Sequence, residues 1–75
     1  MSRELVIEAD GGSRGNPGQA GSGAVVIDAA TGQVVREIAR YIGIATNNVA
    51  EYVALIAGLE AALEIDADAT LLVRM

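Results

Sequence analysis

The sequence predicts an α/β fold of order β-β-β-α-β, a mixed sheet of strand order 3-2-1-4 with one helix packed on it. Three observations lead there. Short runs rich in β-formers recur at Leu5–Ala9, Gly23–Asp28 and Gln33–Ile42, separated by turn-forming residues. The apolar period then lengthens to that of a helix between Asn48 and Ile65. After Asp66-Ala67-Asp68, which ends the helix, Thr70 to Val73 begins a fourth strand.

In the first run Leu5, Ile7 and Ala9 share one face, with Val6 and Glu8 on the other. Gly11 to Gly18, Gly-Gly-Ser-Arg-Gly-Asn-Pro-Gly, reads as a loop. Ala29 to Gly32 closes a hairpin between the second and third runs, and Arg36, Glu37 and Arg40 suit the third to an exposed edge. In the helix, Tyr52, Ile56, Leu59 and Leu63 form the expected apolar stripe, widened by Val49, Val53 and Leu55. Three strands joined by tight turns make an antiparallel meander, so the first and third run the same way. A helical crossover returns the chain parallel to the third strand, and hence to the first, beside which the fourth can pair. The C-terminal ends of strands one, three and four then share an edge with the start of the helix.

The 75 residues allow at most one small domain, and a fragment of a larger one enters the account from the start. Apolar residues make up 52% of the chain, much of it alanine, with two Tyr and no Phe or Trp, so bulky core anchors are scarce. Without cysteine or histidine, disulfides, thiolate sites and the common zinc sites are excluded. Any metal must be a hard cation on oxygen ligands, magnesium or manganese. No apolar run approaches a membrane span, and the start Met1-Ser2-Arg3-Glu4 leads into no signal-peptide core, so a cytoplasmic protein is expected. The net charge of −5 runs against the basic footprint of nucleic-acid binders, although a carboxylate metal site is itself acidic.

Asp10 and Glu51 are the candidate metal ligands, because the topology brings both to one edge. Each taken alone has an ordinary role. Asp10 is a strand-end turn residue, and Glu51 stands at capping-box spacing from Asn48, which would be the N-cap. The glycines are ordinary turn chemistry too, and they lack the Lys-Ser/Thr of a phosphate-binding loop. They do permit close backbone approach, for instance by an RNA strand with its 2′-hydroxyls. Thr46-Asn47-Asn48 can cap the helix, yet capping needs one residue of the three; the others could hold a phosphate or touch base edges.

Taken together, Asp10 to Gly18 and Thr46 to Glu51 (Thr-Asn-Asn-Val-Ala-Glu) resemble the two N-terminal motifs of the ribonuclease H type I family, in order and in context. The wording is similar to the bacterial and archaeal branch, including actinobacterial chains that carry a phosphatase domain downstream. The resemblance implies a ribonuclease H-like fold and cleavage of the RNA strand of RNA–DNA hybrids by a two-metal mechanism using Mg2+, or Mn2+. It makes Asp10 the carboxylate that bridges both metals and Glu51 the second ligand. It places Ser13, Gly15 and Asn16 at RNA 2′-hydroxyls, with Gly11 also among the substrate-binding residues, Thr46 and Asn48 at a DNA phosphate, and Asn47 at a minor-groove base.

The family's third carboxylate follows the fourth strand and its fourth lies later, whereas the sequence here stops at Met75. Residues 1–75 are therefore expected to be the N-terminal half of one ribonuclease H-like domain, inactive alone. Any basic substrate-handling segment would lie outside them. Two rival readings stand beside the enzyme: a non-catalytic module that binds RNA–DNA hybrids, and a structural half that self-associates or folds with a complementing fragment.

Overall fold

In the computed structural model, which describes residues 3–75, β1 (Glu4–Gly15), β2 (Gly18–Asp28) and β3 (Val34–Ala45) form an antiparallel meander. Helix α1 (Asn47–Ile65) follows, and β4 (Thr70–Arg74) pairs in parallel with β1, giving the order β3-β2-β1-β4. Fold class, strand order and strand directions are as expected. The Met1-Ser2 pair, read as no part of an export signal, lies outside the described residues.

The glycine-rich segment is not a loop. The β1–β2 ladder continues from Leu5 opposite Asp28 to Gly15 opposite Gly18, leaving only Asn16 and Pro17 as the turn. Glycine lowers strand propensity by its freedom and missing side chain, but keeps the N–H and C=O that a ladder needs. Two glycine-bearing strands can therefore pair wherever a short turn sets their register. Gly15, at φ 89°, enters that turn in a conformation that disfavours other residues.

At the other end of the hairpin the turn expected at Ala29–Gly32 forms, with the Gly32 N–H donating to the Asp28 carbonyl at 2.7 Å. The Asp28 carboxylate accepts from Arg3 at 3.0 Å and from the Ala30 N–H at 2.9 Å. The Arg3 guanidinium first, and the turn N–H groups after it, hold this carboxyl below the usual carboxylate range.

The helix turns a different face to the sheet from the one expected. Its buried residues are Ala50, Ala54, Ala57, Gly58, Ala61 and Ala62, while Tyr52, Ile56 and Leu63 are more than half exposed. Leu59 alone of the four stripe residues packs, half-buried, against the core. The small residues recur at the same helical spacing, and a chain seated on them comes much closer to its sheet. A Cβ added at Gly58 would stand 2.5 Å from Ile7 Cγ2, a distance at which something must shift. Under the helix lie Leu5, Ile7 and Val26, the largest fully buried side chains, with Ala9 and Ala24. Edge strand β3 is exposed along most of its length, and its Arg36 pairs with Glu64 of the helix at 3.0 Å.

Candidate metal and nucleic-acid site

Asp10 stands within β1, opposite Gly23, and not at a strand end as the sequence suggested. The parallel pairing of β1 with β4 runs from Glu4 opposite Thr70 to Glu8 opposite Arg74. Asp10 therefore lies two residues past the last β4 partner, at the expected edge of the sheet. Its neighbour Gly11 touches the helix backbone. A Cβ there would overlap the carbonyl carbon and oxygen of Ala50 and stand 2.7 Å from the Glu51 nitrogen. The absence of that one carbon lets the strand carrying Asp10 meet the helical turn carrying Glu51.

Both carboxylates are exposed. A shallow hollow is lined by Asp10, Gly12, Gly21, Gly23, Tyr41 and Arg74, and a smaller one by Asn48, Glu51, Tyr52 and Leu55. Met75, the residue after β4, borders both hollows. Arg74 is paired with Glu8 at 2.6 Å. Among the described residues no three carboxylates gather at one point. Two exposed carboxylates, in a chain without thiolate or imidazole, form a donor set that fits hard divalent cations.

The start of the helix corrects a second expectation. Thr46, not Asn48, is the N-cap, and its Oγ1 accepts from the Val49 N–H at 3.2 Å. Asn48 is the second residue of the helix, and Glu51 stands too far along to close a capping box. The ordinary explanation of Glu51 is thereby removed.

Asn47 connects two segments far apart in the chain. Its Oδ1 accepts from the Ser13 N–H at 2.6 Å and lies 3.0 Å from Ser13 Oγ. That hydroxyl also faces the Gly15 carbonyl, and its single proton serves one acceptor at a time. The Asn47 N–H in turn donates to Asn16 Oδ1 at 3.2 Å. Asn16 thus satisfies one of the N–H groups left free at a helix start, and Thr46 another. Capping accounts for the N–H groups of Asn47 and Val49 and not for that of Asn48. With its oxygen committed to Ser13, Asn47 has its amide NH2 left to offer outward.

A family profile described as reverse transcriptase-like matches residues 8–70. The chain is 54% identical over 59 residues to Ribonuclease HI of Halobacterium salinarum, an alignment covering 79% of this chain and 29% of that protein. The structure superposes on the N-terminal RNase H domain of Rv2228c from Mycobacterium tuberculosis with a TM-score of 0.85 and 56% identity, covering 96% of this chain and 56% of that one. The chain belongs to the ribonuclease H family. A second ribonuclease H, LC11-RNase H1 in complex with an RNA/DNA hybrid, superposes with a TM-score of 0.86 and 47% identity, over 95% of this chain and 53% of that one. The Bifunctional protein Rv2228c itself is 61% identical over 64 residues, 85% of this chain and 18% of that protein. The chain spans less than half the length of each of these curated relatives.

Within this ribonuclease H fold, Gly11, Ser13, Gly15 and Asn16 lie on one hairpin, and Thr46, Asn47 and Asn48 at the start of α1. Hydrogen bonds from Ser13 to Asn47 and from Asn47 to Asn16 bring the two groups together. Sequence reasoning missed Ser22, whose Oγ donates to the Ala50 carbonyl at 2.6 Å. A signal was available: Ser22 falls in the two-residue alternation of Ala20, Ala24 and Val26, a lone hydroxyl on the buried face.

Proposed function

We propose that these residues are the N-terminal half of a ribonuclease H domain that cleaves the RNA strand of RNA–DNA hybrids. The observation that carries the proposal is the Gly11 contact, through which the Asp10 strand and the Glu51 turn meet at one edge beside the Asn47 network. Asp10 and Glu51 are the residues that would hold Mg2+ or Mn2+. Bound there, the ions would supply an activated water and stabilise the departing oxygen at the RNA phosphodiester. Two carboxylates leave most positions of two ions to other donors. Water, substrate oxygens or further carboxylates would fill the remaining positions.

The chain's own residues position the substrate. Ser13, Gly15 and Asn16 face the 2′-hydroxyls of the RNA strand, and duplex DNA, lacking them, is rejected. Thr46 and Asn48 hold a phosphate of the DNA strand at the helix start, where the N–H groups and the dipole favour an anion. The Asn47 amide donates to acceptors on a base edge in the minor groove. The second reading is a non-catalytic hybrid-binding module, which would use the same Ser13–Asn47 unit without the metal chemistry.

Cleavage assays on the protein at its native length separate the two. With Mg2+ or Mn2+ the wild type should cut a hybrid and spare duplex DNA. Asp10→Asn should lower turnover by orders of magnitude at an unchanged melting temperature, since charge is lost with little change of shape. Hybrid binding without cleavage in the wild type would establish the module. Near-normal cleavage by Asp10→Asn would remove Asp10 from the mechanism.

A further inference from the structure

Among the described residues Ser22 is the one buried polar side chain, at 7% exposure, and the function proposed above does not use it. It lies directly opposite Gly11 across the β1–β2 ladder, and both residues meet the same peptide group of α1. Gly11 sets how near the helix can come. Ser22 adds the attraction, with its hydroxyl donating at 2.6 Å to the Ala50 carbonyl. That carbonyl belongs to the peptide unit whose nitrogen is Glu51's own. The contact therefore constrains the peptide plane from which the Glu51 side chain departs, on the side of the helix facing the Asp10 strand.

We infer that Ser22 is a positioning residue, holding the Glu51 turn at the separation from Asp10 that a shared divalent cation requires. The inference rests on the metal site proposed above. The physical case is one of magnitudes. A helix seated on alanine and glycine has few side-chain interlocks to resist sliding or lifting at its first turns. A directional bond in a buried setting is stronger than the same bond in water, and its loss would leave the Ala50 carbonyl with its helical partner alone. Metal sites are sensitive to such supporting contacts, because a donor displaced by a fraction of an ångström no longer shares the ion.

The test is calorimetric titration of Mn2+ into the native-length protein without substrate, beside hybrid cleavage and thermal melts. Ser22→Ala should weaken Mn2+ binding by roughly tenfold and lower kcat, with KM for the hybrid little changed. Ser22→Thr, which keeps the hydroxyl, should recover most of the affinity. Val26→Ala, a core truncation four residues along the same strand, is the control for stability: it should melt earlier yet bind Mn2+ as the wild type does. Equal loss of Mn2+ affinity in Val26→Ala and Ser22→Ala would reduce Ser22 to a stability residue, and unchanged Mn2+ binding in Ser22→Ala would overturn the inference. A wild type that binds Mn2+ but cuts no hybrid would defeat the functional reading and leave the role of Ser22 to be decided by the titration. A wild type that binds no Mn2+ would defeat both the metal site and the inference resting on it.

Discussion

At the scale of single residues, the least conspicuous side chains set the geometry of the candidate site. Gly11 has no side chain, and its replacement by alanine would drive a methyl into the Ala50–Glu51 backbone. Neither neighbour is the free end of a flexible side chain, so strand and helix must separate. We expect Gly11→Ala to cost about 1–3 kcal/mol of stability, as overpacking generally does, and to weaken metal binding further than Ser22→Ala. Chemical denaturation with Mn2+ titration checks this; wild-type stability would show that the helix start yields freely. Gly11, Asp10 and Glu51 were all legible in the sequence as candidates. The sequence marks Gly11 as a place of close approach by substrate, and in the fold the helix backbone also comes close to it. A glycine announces close approach but not by what, and the partner becomes visible only when Ala50, thirty-nine positions on, is brought over it.

At the scale of elements, strand directions and order followed from the sequence, because a meander, a crossover and a parallel return leave few alternatives. Element ends were less legible. The sequence pattern stops the hairpin six residues short of the ladder end on β1 and five short on β2, since glycine lowers propensity while leaving pairing intact. The helix face was misread for a related reason: large apolar residues mark a stripe more strongly than small ones, yet the alanines and Gly58 permit the tighter seat. The start of the helix and the tip region of the hairpin form one hydrogen-bonded unit through Asn47, which separates the effects of neighbouring substitutions. Thr46→Ala removes the cap and should cost about 1 kcal/mol. Asn47→Ala leaves that cap but releases Ser13 from the helix, and should weaken hybrid binding more than it lowers stability. Melting curves beside hybrid affinity distinguish them; a stability loss in Asn47→Ala equal to that in Thr46→Ala, at unchanged affinity, would make Asn47 a structural residue alone.

At the scale of the whole molecule, the described surface exposes large apolar side chains on both edge strands and on the helix. Tyr41 and Ile44 stand out on edge strand β3, Tyr52, Ile56 and Leu63 on the helix, and Leu72 on β4. Edges β3 and β4 are both unpaired on their outer sides among the described residues, a configuration that invites strand addition. The 75-residue chain in isolation should therefore associate with copies of itself or with a complementing fragment. Light scattering that found a monodisperse monomer with a cooperative melt would refute this. Its helix seam has a further consequence, one of thermal expansion. Alanine and glycine have no rotamers to exchange, so the helix side of its seam with the sheet contributes little that loosens gradually on warming. The distance from the Asp10 strand to the Glu51 turn is set by the Gly11 contact with the helix backbone and held by the short Ser22 hydrogen bond. It should hold nearly constant with temperature until the helix departs as a unit, so that the site loses its dimension in one step and does not drift out of tune.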